Sequence, residues 1–214
     1  MEKNLISKKS TDTLVNHLLL PFVEIEIRLG TLSKSFDSSI NKKYFFQIKE
    51  DLLLNKNVFK NIENINTVEY INNKLKLIKG TEDSLIMKEN VLTKTFSLNL
   101  SPFDIRLSIN QEFSLNSYIS LKNETFHSKD VVIRKKERTS FIDLNYRYDL
   151  TIVNETINNI QREKYEIEIE LLINKETLTW SNNYINDFIE CKIYDLINIV
   201  EPIDRDTFKI NLSL

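Results

Sequence analysis

Apolar residues recur at helical spacing in three stretches of the chain. Positions 11–20 follow Ser10, a candidate N-cap, and positions 43–55 place Phe45, Ile48 and Leu52 on one side. Positions 183–200 carry a longer stripe of Ile185, Phe188, Ile189, Ile193, Leu196, Ile197 and Val200, ending before Glu201-Pro202. Between the second and third helices, and just before the second, apolar and polar residues alternate with a period of two, the pattern of a strand. The pattern predicts strands at 22–29, 66–71, 74–79, 85–91, 96–100, 103–113, 131–142, 147–153 and 164–173. The gaps hold few crossover helices, so the sheet is expected to be antiparallel. Eight or nine strands with few helices predict a mainly β (α+β) chain built as a closed barrel or a sandwich.

Sorting each strand into faces shows where the charge lies. Glu24, Glu26 and Arg28 share a face against Val23, Ile25, Ile27 and Leu29, and Glu166, Glu168 and Glu170 share one against Tyr165, Ile167, Ile169 and Leu171. Arg134, Lys136, Arg138 and Ser140 align, as do Asp104, Arg106, Ser108, Asn110 and Glu112. A single charged face is ordinarily the wet side of an antiparallel sheet. Here the signs segregate by strand, two mainly acidic and one basic, whereas a solvated face mixes them to avoid like-charge neighbours. The acidic strands also lie near opposite ends of the strand region. Closing the sheet into a barrel would bring its edges together and set Glu24 and Glu26 beside Glu166, Glu168 and Glu170.

Composition narrows the partners. The 214 residues hold 29 Lys and Arg against 31 Asp and Glu, a formal net charge of -2, so an anion site must come from placement rather than excess. One cysteine, Cys191, excludes an internal disulfide and suits a reducing compartment. The apolar run 18–23 is too short to span a bilayer, and no secretory pattern opens the chain, so an intracellular, soluble protein without membrane contact is expected. Glycine (2) and proline (3) are scarce and no linker divides the chain, which is expected to form one domain over 1–214.

Clustered carboxylates are costly without a counterion, and Mg²⁺ or Mn²⁺ prefers such oxygen ligands. Carboxylates with a metal on one wall and Arg or Lys on the others would suit phosphate chemistry, with no histidine or cysteine required. His17 and His127 are expected to be bystanders, and Trp180, Tyr146 and Tyr148 to be packing residues.

Glu-Ile-Glu-Ile-Arg at 24–28 resembles the first-strand motif of the triphosphate tunnel metalloenzymes, and Glu-Ile-Glu-Ile-Glu at 166–170 their last-strand motif. Arg134-x-Lys136-x-Arg138-x-Ser140-Phe141, then Arg147-x-Asp149-x-Thr151, resembles the basic strand and its successor in the fungal and large-DNA-virus RNA 5′-triphosphatases. The stretch around Arg106 is similar to a further basic strand of that branch, and the viral type of capping enzyme is the nearer resemblance. The resemblance implies an eight-stranded antiparallel tunnel with a polar interior, its apolar faces covered by a few helices. It implies removal of the γ-phosphate of 5′-triphosphate RNA as the first step of mRNA capping, in the cytoplasm, a viral factory or a virion. NTP hydrolysis is the implied side activity, supported by Mn²⁺ more readily than by Mg²⁺.

The same resemblance implies roles. Glu24, Glu26 and Glu170 would hold the metal. Arg134, Lys136, Arg138 and Arg106 would hold phosphate oxygens, with Lys76 and Lys88 as weaker candidates. Lys136 and Arg138 would also assist the reaction itself, Glu168 or Glu166 would position or deprotonate the attacking water, and Asp149 would orient a basic side chain. Covalently linked guanylyltransferase and methyltransferase domains are the implied partners, with 202–214 as an exit strand or linker. Two rivals stand beside this reading. One is a tunnel phosphatase acting on tripolyphosphate or another small triphosphate, disfavoured by the helix ahead of the first motif and by Arg28 at its end. The other is a non-catalytic RNA- or polyphosphate-binding barrel.

Overall fold

The computed structural model describes residues 13–98, 101–117, 126, 131–206 and 208–210. A short helix α1 (Thr13–Leu18) leads into β1 (Val23–Leu32), the two-residue β2 (Phe36–Asp37) and α2 (Lys42–Leu54). The strands β3 (Asn61–Asn72), β4 (Leu75–Lys79), β5 (Ser84–Phe96), β6 (Asp104–Ser114), β7 (Val132–Ile142), β8 (Tyr146–Ile157) and β9 (Ile160–Leu171) follow, and α3 (Asn182–Val200) comes after them. Every strand pairing is antiparallel, in the order β1-β6-β5-β4-β3-β7-β8-β9, and β9 returns to pair with β1. Eight strands therefore close a barrel, with β2 attached to the end of β1.

The alternation seen in the sequence becomes an inside and an outside. Ile25, Ile27 and Leu29 of β1, Ile105, Leu107 and Ile109 of β6, and Ile167, Ile169 and Leu171 of β9 are buried outside the barrel in one core with α2 and α3. Rings lock this cover: Phe45 packs on Tyr165 at 5.3 Å, Tyr44 on Phe103 at 5.6 Å and Phe188 on Tyr146 at 5.8 Å between centroids. Tyr148 donates its hydroxyl to the Lys192 carbonyl at 3.3 Å, and Trp180 stacks on Tyr184 and Phe188, so these aromatics are packing residues. No helix among the described residues is long and apolar enough to cross a membrane.

Local chemistry sets the turns and caps. Asn158 and Asn159, both at positive φ (51° and 66°), make the two-residue turn that joins the Ile157–Ile160 pair, and asparagine tolerates that conformation best after glycine. Ser181 caps α3 by accepting from the Tyr184 amide at 3.3 Å. Ser181→Ala is expected to lower stability by about 1 kcal/mol in urea unfolding; an unchanged midpoint would show that packing alone holds the helix start.

Three expectations need correction. The separate strand at 96–100 is absent: Phe96 ends β5, which runs unbroken from Ser84, while 97–98 are irregular and 99–100 lie outside the described residues. A bulge between Asn90 and Leu92 shifts the register there, so the alternation breaks inside one strand and reads as two. The first helix spans only Thr13–Leu18, with Ser10 and Thr11 outside the described residues. Among the described residues after α3, 201–206 and 208–210, there is no strand: Phe208 and Ile210 pack back on the core, and the Ile210 amide donates to Glu190 at 2.9 Å, while 207 and 211–214 lie outside the described residues. His127 also lies outside the described residues, while His17 sits on α1.

Candidate functional site

The polar faces converge in the lumen, as ion pairs between strands that are not neighbours show. Lys88 of β5 reaches over β6 to Glu24 (2.5 Å) and Glu26 (3.4 Å) of β1. Arg134 of β7 reaches over β8 to Glu166 of β9 (2.5 Å), and Lys76 of β4 reaches over β5 to Glu112 of β6 (3.5 Å). Only a concave interior allows such contacts. Its charges are sheltered from bulk solvent: Glu26, Lys136, Asp149, Glu166 and Glu168 are all buried. Charges are buried this deeply only when paired.

Register decides which carboxylates meet. Glu26 stands directly opposite Glu170 across the β1–β9 seam, and Arg28 opposite Glu168. Glu24 lies one inward position before Glu26, so the three glutamates form one patch. In this structure each is drawn to a base: Glu24 to Lys88, Glu26 to Lys88 and Arg28, and Glu170 to Arg147. Among the described residues no three acidic, histidine or cysteine side chains already converge as a metal cage. The donor set nevertheless fits a hard cation. Burial pushes the Glu170 carboxyl up to about 8; Arg147 opposes this, and Glu24, Asp149 and Glu168 add to it. Burial and then Glu26 also raise Glu24. A divalent cation here would satisfy oxygens that otherwise favour protons.

The basic wall faces this patch. Lys136 holds Glu69 at 2.8 Å, and burial lowers its ammonium pKa, with Arg134 and Arg138 adding while Glu69 opposes. Arg138 binds Asp149 at 3.0 Å and approaches Glu168 at 3.9 Å. Burial works against ionisation of Glu168, yet Arg28, Arg138 and Lys136 outweigh it and hold that carboxyl well below the usual range. Asp149 accepts from Ser140 Oγ (2.6 Å), Arg138 Nη1 (3.0 Å) and Arg147 Nε (3.0 Å), which places it as the anion orienting two arginines.

Arg106 differs from the rest. Of Arg28, Arg106, Arg134, Arg138 and Arg147, it alone has no carboxylate within ion-pair distance among the described residues. It stands directly opposite Arg28 on the neighbouring strand. The buried Nε atoms of both find no hydrogen-bond acceptor, and burial, then Arg28, lower the Arg106 pKa. Two guanidiniums side by side with orphaned donors are suited to binding an anion. Glu26, Arg28, Glu69, Lys76, Lys88, Arg106, Arg134 and Lys136 all line one cavity of about 470 Å³.

Glu24, Glu26, Lys76, Lys88, Arg106, Arg134, Lys136, Arg138, Asp149, Glu166, Glu168 and Glu170 thus share the inward faces of their strands. Sequence reasoning gave no role to Glu69, Glu112 or Glu155, which hold basic side chains in place, or to Arg147, which pairs with Asp149 and Glu170. Arg147 and Glu112 shared faces with residues already chosen. Glu69 had no such signal, since its face alternates it with Thr67 and Ile71.

Comparison with known proteins bears on this site. The family described as "mRNA capping enzyme, beta chain" matches residues 71–199. No curated protein sequence matches the chain. The fold is similar to that of the S. pombe Pct1 RNA triphosphatase, with a TM-score of 0.72 and 17% identity over 90% of this chain and 92% of that one. It is similar also to the Mimivirus capping enzyme triphosphatase, with a TM-score of 0.59 and 17% identity over 92% and 98%.

Proposed function

The chain belongs to the mRNA capping enzyme beta-chain family, and from that premise we propose that it hydrolyses the γ-phosphate of 5′-triphosphate RNA to leave a 5′-diphosphate end. The observation that carries the reading is the apposition of Glu26 and Glu170 on the lumen, with Glu24 beside them and Arg or Lys on the walls around. Free NTP is a side substrate. The barrel serves as the triphosphatase module alongside guanylyltransferase and methyltransferase activities.

Glu24, Glu26 and Glu170 hold the cation, Mg²⁺ or Mn²⁺, which when bound offsets negative charge on the γ-phosphate. Arg138, Lys136 and Arg134 bind the oxygens of the transferred group, and Lys88 and Lys76 extend this wall. Arg28 and Arg106, with orphaned Nε donors, take the phosphate nearer the ribose. Each paired base exchanges its carboxylate for a phosphate oxygen as substrate enters, so desolvation of the charges is largely met before binding. Glu168 is held ionised by Arg28, Arg138, Lys136 and Lys88 and accepts a hydrogen bond from the attacking water, aiming it in line. Glu166 is engaged by Arg134 and by the Ser38 hydroxyl (3.0 Å), and positions that arginine.

The test is release of labelled phosphate from γ-labelled triphosphate RNA with Mg²⁺ or Mn²⁺, with and without EDTA, beside inorganic tripolyphosphate. Release from RNA that EDTA abolishes supports the reading. Release from tripolyphosphate alone would move the chain to small substrates, and no release from either would leave a binding barrel.

A further inference from the structure

At one end of the lumen an apolar ring stands among charges. Strand β1 continues past the last β9 pair as Gly30, and the chain turns back through β2, so that Phe36 and Asp37 pair with Leu32 and Thr31. Gly30 continues the inward face of Glu24, Glu26 and Arg28. It carries no side chain, and the Phe36 ring fills the space: a Cβ on Gly30 would lie 2.5 Å from Phe36 Cζ and would also strike the Asp37 carbonyl. The ring lies over Arg106, 4.9 Å from the guanidinium carbon to the centroid. Two residues on, Ser38 bonds Glu166, and Ser39 bridges to the same residue, so the chain just after the ring is anchored to the barrel. Phe36 remains partly exposed. Among the described strands, no other position on the inward faces holds an aromatic ring.

A ring that served only packing would belong to the outer core, where Phe45, Phe103 and Phe141 are fully buried. Phe36 is instead placed by a glycine and two anchors over Arg106, which has no carboxylate within ion-pair distance among the described residues. Its distance from the carboxylate patch is also informative. Gly30 is four residues beyond Glu26, about 13 Å along a strand at roughly 3.3 Å per residue. That is the order of the reach from a γ-phosphorus to the base of the same nucleotide. Halfway along this path lies the Arg28–Arg106 pair.

We propose that Phe36 is the stacking platform for the base of the first nucleotide of triphosphate-ended RNA, with Arg106 bridging platform and phosphate. The inference rests on the proposed RNA substrate. Stacking on a phenyl ring accepts any base, so the platform selects a nucleoside triphosphate over a bare polyphosphate without reading sequence. It also sets polarity: the γ-phosphate points toward Glu26 and Glu170, and the RNA body leaves past β2. Arg106 is shared, since its guanidinium stacks under the ring while its Nε faces phosphate.

The test is a thermodynamic cycle on Kd, read by fluorescence anisotropy with a short 5′-triphosphate RNA and the same RNA abasic at its first position. Each is titrated into the wild-type protein, Phe36→Ala and Phe36→Trp. Deleting the base is expected to weaken binding to the wild type by about 5- to 150-fold, and to the Phe36→Trp variant by at least as much. The same deletion is expected to change binding to Phe36→Ala less than twofold, because the partner is already gone. A loss of equal size in wild type and Phe36→Ala would overturn the proposal, as would no loss in either. The cycle cancels any displacement of Arg106 caused by the alanine, and it needs no turnover. Phosphate release by the wild type is measured alongside. Coupling without release would sink the triphosphatase reading and leave the platform; release without coupling would do the reverse.

Discussion

Glu26→Ala is expected to reduce phosphate release from triphosphate RNA on the order of a thousandfold at saturating Mg²⁺ or Mn²⁺, while the protein keeps its fold. A bound cation supplies several kcal/mol of charge stabilisation, and each 1.36 kcal/mol is tenfold in rate. Glu26 stands at the centre of the carboxylate patch, opposite Glu170 and beside Glu24, so under the proposed metal assignment its loss removes the central ligand. The fold is expected to tolerate the change because the two bases it pairs with keep other partners. Arg28 retains Glu168 at 2.9 Å, and Lys88 retains Glu24 and Glu112 at 2.5 and 3.2 Å. Rate and melting temperature are therefore measured on one preparation. Wild-type release by the folded variant would remove the metal assignment; lost release with a collapsed melting temperature would make Glu26 a structural residue.

Asp149→Ala is expected to cost stability as well as rate. Asp149 is 1% exposed and accepts from Ser140, Arg138 and Arg147 at once. Removing it leaves two guanidiniums and a hydroxyl without their shared anion. Losing one partner of a buried pair typically costs about 3–5 kcal/mol, and the expected loss lies at the lower end because Glu168 and Glu170 remain near the arginines. Urea unfolding measures it. The double variant Asp149→Ala/Arg138→Leu is expected to recover part of the loss, since it removes a stranded charge. A change under about 1 kcal/mol would show that water enters the lumen and screens the network.

The fold was legible wherever alternation was clean. The strands holding Glu24–Arg28, Arg134–Ser140 and Glu166–Glu170 sit where the pattern placed them: the first and last set a face of Ile, Leu, Val or Tyr against one of charge, while the middle one is marked by its basic face, with only Ile133 and Phe141 apolar opposite it. The pattern failed where geometry departs from strict pleating. The bulge at Asn90–Leu92 split one strand into two, and β2 is too short for any period to show. At the site, segregation of charge by strand located the walls. It did not reveal that nearly every base is already held by a carboxylate, since such pairs join strands distant in sequence, as Lys136 with Glu69 and Lys88 with Glu24. Nor did it single out Phe36, whose meaning depends on the glycine beneath it.

The seam between β1 and β9 also governs how the molecule is made. Ile25 pairs with Leu171, so the barrel cannot shut until nearly the whole strand region has been synthesised. Contacts this far apart in sequence pay their loop-closure entropy late, and chains dominated by them fold slowly. A nascent chain that lacks β9 presents two open edges, β1 and β8, each with a row of unpaired amides and carbonyls ready to pair with another chain. Its glutamates and arginines then face water, and its outer Ile and Leu rows have no finished wall to cover. Expression of fragments ending before residue 160 is thus set to yield aggregates rather than a smaller barrel.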